Sequence, residues 1–404
     1  MKRLVLTGAL LASAAPAAAP AAAQTVTLAP VVDARLRYET VDQDGIAADA
    51  DAVTMRVRAG VQANSGHWSA LAVAQGNLAI VGNYYDGLKG TATRPLVADP
   101  QNVALYIAQV QYRTPAIAIT AGRQRIALDD ERFVGNAPFR QNAQTYDAVR
   151  IEWTAVKNLK ADVTYAWDVR TIWGIDGVGA RQQGIGGNNV FANVGYETPI
   201  GTATGFVYLI DQDEAAVQGY RLSSQTYGAR FAGAQSIGKA KLAYQASYAR
   251  QSDWHRNPNR YAADYYLADL ALDLDGPKLG AGYEVLGASS GAALTSFQTP
   301  LGSVFKFQGW ADKFLTTPAD GIRDAYASVG WGWKTIGALK GVSLQGVYHR
   351  FESDRLVRHY GNEVDLLAAA KLGRTTATLR YADYDADLFA VDTRKFWLQL
   401  DWAI

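Results

Sequence analysis

The sequence predicts an all-β chain: a transmembrane antiparallel β-barrel of about 18 strands after a cleaved signal peptide. Three observations predict it. Apolar and polar residues alternate along many segments of roughly ten residues, the length and pattern of a tilted membrane strand. The links between these segments are short and long in turn. The chain ends with Phe396, Leu398, Leu400, Trp402 and Ile404 on one face and Trp397, Gln399, Asp401 and Ala403 on the other. A face so apolar must leave water.

The chain opens with Lys2 and Arg3, an apolar stretch from Leu4 to Ala12, and the small residues Ala21-Ala22-Ala23 before Gln24. This is the layout of a secretory signal, so residues 1–23 are read as signal peptide and residues 24–404 as one barrel domain. The apolar stretch is too short for a spanning helix. No cysteine occurs, which removes both a lipoprotein anchor and a disulfide framework. Gly and aromatic residues are abundant, net charge is +1, and no proline-rich linker or charge run marks a boundary. Mean hydropathy near zero fits a barrel, in which only alternate residues touch lipid.

Taken in order, Val32, Ala34, Leu36 and Tyr38 oppose Asp33, Arg35, Arg37 and Glu39. Val53, Met55, Val57, Ala59 and Val61 oppose Thr54, Arg56, Arg58 and Gln62. Tyr106, Ala108, Val110 and Tyr112 oppose Gln109, Gln111 and Arg113. Leu159, Ala161, Val163, Tyr165, Trp167 and Val169 oppose Lys160, Asp162, Thr164, Asp168 and Arg170. Leu242, Tyr244, Ala246 and Tyr248 oppose Lys241, Gln245 and Ser247, and Val364, Leu366, Ala368 and Ala370 oppose Glu363, Asp365 and Lys371. Two segments break the rule. Trp68 to Leu78 is small or apolar on both faces, and Ala116 to Arg125 puts Ile117 and Ile119 in phase with Arg123 and Arg125. A bulge between Ile119 and Arg123 would restore the second pattern.

Short links centre on Asn64-Ser65-Gly66, Thr114-Pro115, Val156-Lys157-Asn158, Thr198-Pro199-Ile200-Gly201, Ile237-Gly238-Lys239, Asp275-Gly276-Pro277, Thr335-Ile336-Gly337 and Leu372-Gly373-Arg374. Long polar stretches such as Ala79–Asn102, Ile126–Gln144, Thr171–Asn188 and Ala288–Asp320 lie between them. Membrane barrels sort their loops this way, with short turns on the periplasmic side, and a soluble sandwich has no reason to. The C-terminal strand resembles the insertion signal of bacterial outer-membrane barrels, with Ile404 where that signal usually ends in Phe.

Charge facing lipid costs a few kcal/mol near the midplane, so charged strand residues should face the lumen. Arg35, Arg37, Arg56, Arg58, Arg113, Arg123, Arg125, Arg150 and Arg170 fall in the first strands, and Asp269, Asp273, Glu284, Asp324, Glu363 and Asp365 in later ones. The expected lumen has an arginine wall facing an acidic wall. Charge walls select permeants by sign, and the guanidinium fork matches carboxylates. The alternative is that these arginines pair with Glu39, Glu152, Asp162 and Asp168 and merely fill the barrel.

The stretch from Ala121 through Gly122-Arg123-Gln124-Arg125 and Asp129-Asp130-Glu131-Arg132-Phe133 to Asn136, followed by Phe139-Arg140-Gln141-Asn142 and Tyr146-Asp147-Ala148-Val149, resembles the central motif of the alginate export porin family. Ala311-Asp312-Lys313-Phe314-Leu315, His349-Arg350-Phe351 and Tyr360-Gly361-Asn362-Glu363-Val364-Asp365 extend the resemblance over nearly the whole chain. It implies an 18-stranded outer-membrane barrel with an arginine-rich pore for an anionic polyuronate. By motif position Arg123 and Arg125 would line the pore, and Arg132 and Arg140 would lie in or beside its narrowing loop. The acidic residues depart from a purely electropositive pore. The functional expectation is therefore an anion-passing channel for carboxylate-bearing saccharides.

Other classes find little support. The four histidines accompany no Gly-x-Ser-x-Gly elbow, and no catalytic residues, cofactor or metal ligands are expected. The first strand begins near Thr27, leaving no plug domain ahead of it. The glycines around Gly184 and Gly186 lie in a polar loop without strand–helix context, so they cradle no phosphate. Expected partners are outer-membrane lipids, the barrel assembly machinery and anionic small molecules or polysaccharide, and not nucleic acid.

Overall fold

The computed structural model describes residues 25–403 apart from Thr91 and Ala216. The signal segment Met1–Ala23 and the terminal Ile404 lie outside the described residues. The strands are β1 (Thr27–Gln43), β2 (Ala50–Ser65), β3 (Trp68–Asn83), β4 (Asn102–Arg113), β5 (Ile117–Gln124), β6 (Thr145–Trp153), β7 (Leu159–Arg170), β8 (Gly184–Thr198) and β9 (Gly201–Ile210). They continue as β10 (Ser224–Ile237), β11 (Ala240–Asp253), β12 (Ala262–Asp273), β13 (Pro277–Leu286), β14 (Ile322–Ile336), β15 (Leu339–Glu352), β16 (His359–Leu372), β17 (Thr375–Ala386) and β18 (Thr393–Ala403). Each pairs antiparallel with the next, and β18 returns to β1 with Leu36 opposite Leu400 and Tyr38 opposite Leu398. The 18-stranded sheet closes on itself and leaves no edge. Loop parity holds throughout: two- to five-residue turns such as 199–200 and 238–239 at one rim, and longer loops such as 84–101, 125–144 and 287–321 at the other.

The alternation read in the sequence is realised in the walls. Leu36, Met55, Val57, Ile151, Val163, Leu270, Leu279, Leu366, Leu398 and Leu400 are exposed on the outer face, while Arg37, Arg56, Arg58 and Glu363 are buried within. Outward Trp68, Tyr196, Trp331 and Trp402 mark the short-turn rim, and Tyr165, Tyr248, Tyr266 and Tyr348 the long-loop rim, as two aromatic girdles. The C-terminal strand has the expected faces. Replacing Leu400 and Trp402 together by Asp would turn two carboxylates to lipid and should abolish assembly. A heat-modifiable band at wild-type yield on a gel would show that the outer face is wrongly identified.

Two local departures re-aim side chains. In β4 the pairing with β3 skips Tyr106, so this bulged residue turns inward, where Arg58 stacks 3.8 Å from its ring centroid. In β7 the pairing with β6 and β8 skips Trp167, which inverts the faces beyond it. Val169 becomes buried, and Asp168 and Arg170 turn outward, opposite to expectation. The two-faced apolar segment of β3 also finds its reason. Inward Val73 is packed with Tyr106, Ile107 and Ala143, with Val31 and Leu71 against them.

Loops 125–144 and 287–321 fold into the barrel and fill much of it. Their Ile126, Leu128, Val134, Phe297, Leu301 and Phe314 join the inward Phe206, Tyr208, Tyr265, Phe351 and Tyr384 in one buried cluster. The loops also pair with each other: the Gly135 N–H donates to Leu301 carbonyl at 2.9 Å, and the Ser303 N–H to Glu131 carbonyl at 2.9 Å. A Cβ on Gly135 would lie 2.3 Å from Ser303 Oγ, so this approach requires glycine. Asp129, Glu131, Ala137, Gln308 and Asp312 hold left-handed backbone without being glycine, which shows how tightly the two-loop plug is constrained.

Candidate functional site

Among the described residues, two chambers of the interior meet at the plug. Loop 125–144 carries Phe139 and loop 287–321 carries Phe305, and their rings stack with centroids 3.4 Å apart and planes 5° apart. Trp397 meets both rings edge-on at 5.9 Å. A chamber of about 240 Å³ at the long-loop rim and one of about 680 Å³ beyond the plug share only Pro138, Phe139, Phe305 and Lys306 among their lining residues. The aromatic stack is therefore the partition between them.

Guanidinium groups surround Phe139. Arg37 lies 4.2 Å from its centroid, Arg380 5.3 Å and Arg140 5.4 Å. Inward Arg35 donates to the carbonyls of Pro138 and Phe139 at 3.0 Å each and pairs with Asp401 at 2.7 Å. Arg37 is fully buried between Asp99, 2.8 Å away, and Gln399. Arg56 pairs with Asp33 at 2.7 Å. Arg58 bonds Gln75 at 2.6 Å and meets no carboxylate among the described residues. Arg380 likewise has no carboxylate within ion-pair distance among the described residues and rests over Phe139 and Trp310. Arg35, Arg56, Arg58 and Arg380 thus share two nearby carboxylates, Asp33 and Asp401, and keep excess positive charge on the wall formed by β1, β2, β17 and β18.

The plug is pinned by ion pairs. Arg132, buried, donates to Glu284 at 2.6 Å, and Tyr265 O–H donates to the same carboxylate at 2.7 Å. Burial opposes the Arg132 charge, but Glu284 and Tyr265 outweigh it and hold this guanidinium above its ordinary range. Arg140 and Lys395 both hold Asp312, at 2.5 and 2.8 Å. Burial acts against the Asp312 carboxylate, yet these two cations keep it below the usual carboxylate range.

Of the expected acidic wall, Glu284, Asp324, Glu363 and Asp365 are buried inside the barrel. Asp324 lies 3.0 Å from His349 Nδ1, Asp365 3.7 Å from His349 Nε2, and Glu363 accepts the Ala311 N–H at 2.7 Å. Asp269 accepts from Tyr326 O–H at 2.8 Å. Asp273 pairs with Lys278 beside the short turns, away from the others. The larger chamber is lined by both signs, Arg35 and Arg380 together with Asp269, Glu284 and Asp324.

Five expected arginines stand elsewhere. Arg113 is half-exposed at the short-turn end, 3.7 Å from Glu152, and Arg150 is spent on Asp162 at 2.5 Å. Arg123 is not in the lumen. The pairing of β5 with β4 and β6 is regular, without the expected bulge, so Arg123 shares the outer face of Ile119 and Ala121. Asp147 holds it there in a fork, both contacts 2.8 Å. Charge is tolerated at that depth because its cost falls to about 0–1 kcal/mol near the interface. Arg170 joins it, 3.1 Å from outward Asp168. Arg125 follows the last residue of β5, exposed and without a partner among the described residues. Sequence reasoning missed Arg380, although Leu379 and Tyr381 alternate around it. It also missed Phe139, Phe305 and Lys313 as site residues, since loops carry no periodic signal.

No family model matches the chain, and no curated protein does. Solved structures do. OccAB4 of Acinetobacter baumannii is 12% identical with a TM-score of 0.68, covering 95% of this chain and 99% of that one. OpdO of Pseudomonas aeruginosa is 14% identical with a TM-score of 0.69, over 93% and 97%. OccK9 (OpdG) of Pseudomonas aeruginosa is 12% identical with a TM-score of 0.71, over 93% and 98%. These are outer-membrane porins, and the shared feature at such identity is the fold. The comparisons reach the porin barrel and not the alginate export family. With its apolar outer face and twin aromatic girdles, the barrel is one of the bacterial outer membrane.

Proposed function

We propose that this chain is an outer-membrane channel that prefers anions and passes carboxylate-bearing solutes, with uronate saccharides as the first class to test. The observation that carries this reading is the cluster of Arg35, Arg56, Arg58 and Arg380, which outnumbers its carboxylates Asp33 and Asp401 beside the inner chamber. Excess guanidinium raises the local concentration of anions and offers carboxylates a bidentate partner. A general porin is the second reading, favoured by the pairing of Arg37, Arg56, Arg132, Arg140 and Arg150 with carboxylates at 2.5–2.8 Å.

Reversal potentials across a potassium chloride gradient test the two readings, near ~0.1 M salt or below, where screening is weak. Arg58→Gln with Arg380→Gln should move the potential toward cation preference with the barrel still assembled, because neither residue anchors a carboxylate. Arg123→Gln should leave selectivity unchanged, since its charge lies outside the barrel. Unaltered selectivity in the first variant would reduce the chain to a general porin.

A further inference from the structure

The outer face of the barrel carries a patch of charge on a surface otherwise made for lipid. Arg123 of β5 and Asp147 of β6 face outward as a pair, and Asp168 and Arg170 of β7 stand beside them. Arg125 continues the outward phase of Arg123 just past the end of β5. Three guanidinium groups therefore meet two carboxylates. Asp147 is already held in a fork by Arg123, and Arg170 approaches Asp147 and Asp168 with Nε, at 3.6 and 3.1 Å. The terminal nitrogens of Arg170 donate no hydrogen bond among the described residues, and Arg125 has no partner among them.

Two backbone features build this patch. The bulge at Trp167 is what turns Asp168 and Arg170 outward; unbroken alternation would have sent both into the lumen. Gly186 and Gly184, expected in a loop, stand in β8 directly opposite Asp168 and Arg170. A Cβ on Gly186 would meet nothing within 4 Å, and one on Gly184 would lie 2.9 Å from Asp168 Oδ1 and 3.1 Å from Arg170 Nη1. The two glycines leave a notch of bare backbone beside the arginines. Toward the membrane midplane the same strands expose Val149, Val163, Tyr165 and Trp167. The patch is thus basic above and apolar below.

We propose that this patch docks an outer-leaflet glycolipid whose headgroup carries a phosphate monoester, with Arg125 and Arg170 as the partners of the phosphate. Strands β5 and β7 flank β6, so the two arginines stand two strand spacings apart, about 10 Å, and can close on one phosphate from both sides. A phosphate monoester suits them because its three oxygens accept forks from two guanidinium groups at once. The acyl chains then lie on Val149, Val163 and Tyr165, and the first sugar occupies the glycine notch. Depth selects the leaflet. The long-loop rim faces the cell exterior, and Tyr165 belongs to the girdle that marks headgroup level there. A zwitterionic phospholipid fits less well, since its own ammonium competes for its phosphate and would be set against Arg125. The site lies outside the barrel and is independent of what the channel passes.

The test is native mass spectrometry of the full-length protein in non-ionic detergent, titrated with diphosphoryl lipid A, dephosphorylated lipid A or phosphatidylethanolamine. Diphosphoryl lipid A should be retained at concentrations about tenfold or more below the other two, the worth of one charge-assisted hydrogen bond. Arg125→Gln with Arg170→Gln should remove that preference and leave phosphatidylethanolamine retention unchanged. Gly186→Leu fills the notch with every charge intact and should also weaken lipid A retention, which keeps the proposal testable if the double arginine variant fails to assemble. Arg113→Gln, which removes one positive charge at the short-turn end, should change nothing. Equimolar inorganic phosphate, lacking acyl chains, should not displace lipid A. Equal retention of the three lipids, displacement by equimolar phosphate, or wild-type retention in the arginine and glycine variants would overturn the proposal.

Discussion

Replacing Arg132 by Met should release loop 125–144 from the barrel wall without unfolding the barrel. Arg132 and Glu284 are both almost wholly buried and meet at 2.6 Å. Removing one member of such a pair leaves the other charged and uncompensated, at a cost of about 3–5 kcal/mol. Tyr265 and Gln308 still donate to Glu284 and soften the loss, but neither carries charge. The closed ladder of 18 strands does not depend on this contact, so heat-modifiable mobility should survive. The effect belongs in the plug, as protease cleavage within 125–144 and a noisier single-channel current. Pairing the change with Glu284→Leu removes the orphan charge, and the double variant should be closer to wild type than Arg132→Met alone, a coupling a double-mutant cycle measures. If the single variant were as protease-resistant and quiet as wild type, the plug would be held by its aromatic cluster alone.

The legible and illegible parts of this molecule divide along one physical line. Arg56 and Arg58 were readable because β2 keeps strict alternation between Met55, Val57 and their neighbours, so the lumen face follows from period two. Tyr106, Asp168 and Arg170 were misread because β4 and β7 each skip one residue, and a single extra residue exchanges the faces beyond it. Arg123 was misread for another reason. The inference that charge must face inward holds at the membrane midplane, and Arg123 stands one residue from the end of its strand with Asp147 as partner. Depth decides the cost of charge, and period alone does not report depth. The plug was illegible except by motif likeness, which pointed to Arg132 and Arg140 beside the narrowing. Its two loops are placed by contacts more than 150 residues apart in sequence, such as Arg132 to Glu284 and Arg140 to Asp312.

Opening the aromatic partition should change conductance more than any change of pore charge. Phe139 and Phe305 stack at 3.4 Å, and they are the rings common to both chambers. Truncating one ring leaves a gap that Trp310 or Trp397 can enter, since Trp310 lies 6.3 Å from Phe305 and Trp397 5.9 Å from both. The single variants Phe139→Ala and Phe305→Ala should therefore have modest effects, and the double variant should conduct severalfold better and admit larger neutral sugars in liposome swelling. Loss of Phe139 also strips the ring beneath Arg37 and Arg380, each cation–π contact being worth about 0.5–2 kcal/mol, so some loosening of loop 125–144 accompanies it. A Phe139→Leu, Phe305→Leu pair separates the causes, because it removes stacking and cation–π attraction while restoring most of the apolar volume. It should stay nearly as closed as wild type. Anion preference should persist in every one of these variants, since Arg35, Arg58 and Arg380 remain in place on the wall. Wild-type conductance and solute cut-off in the double alanine variant would mean that solutes pass around the stack, and the two chambers would then belong to no single path.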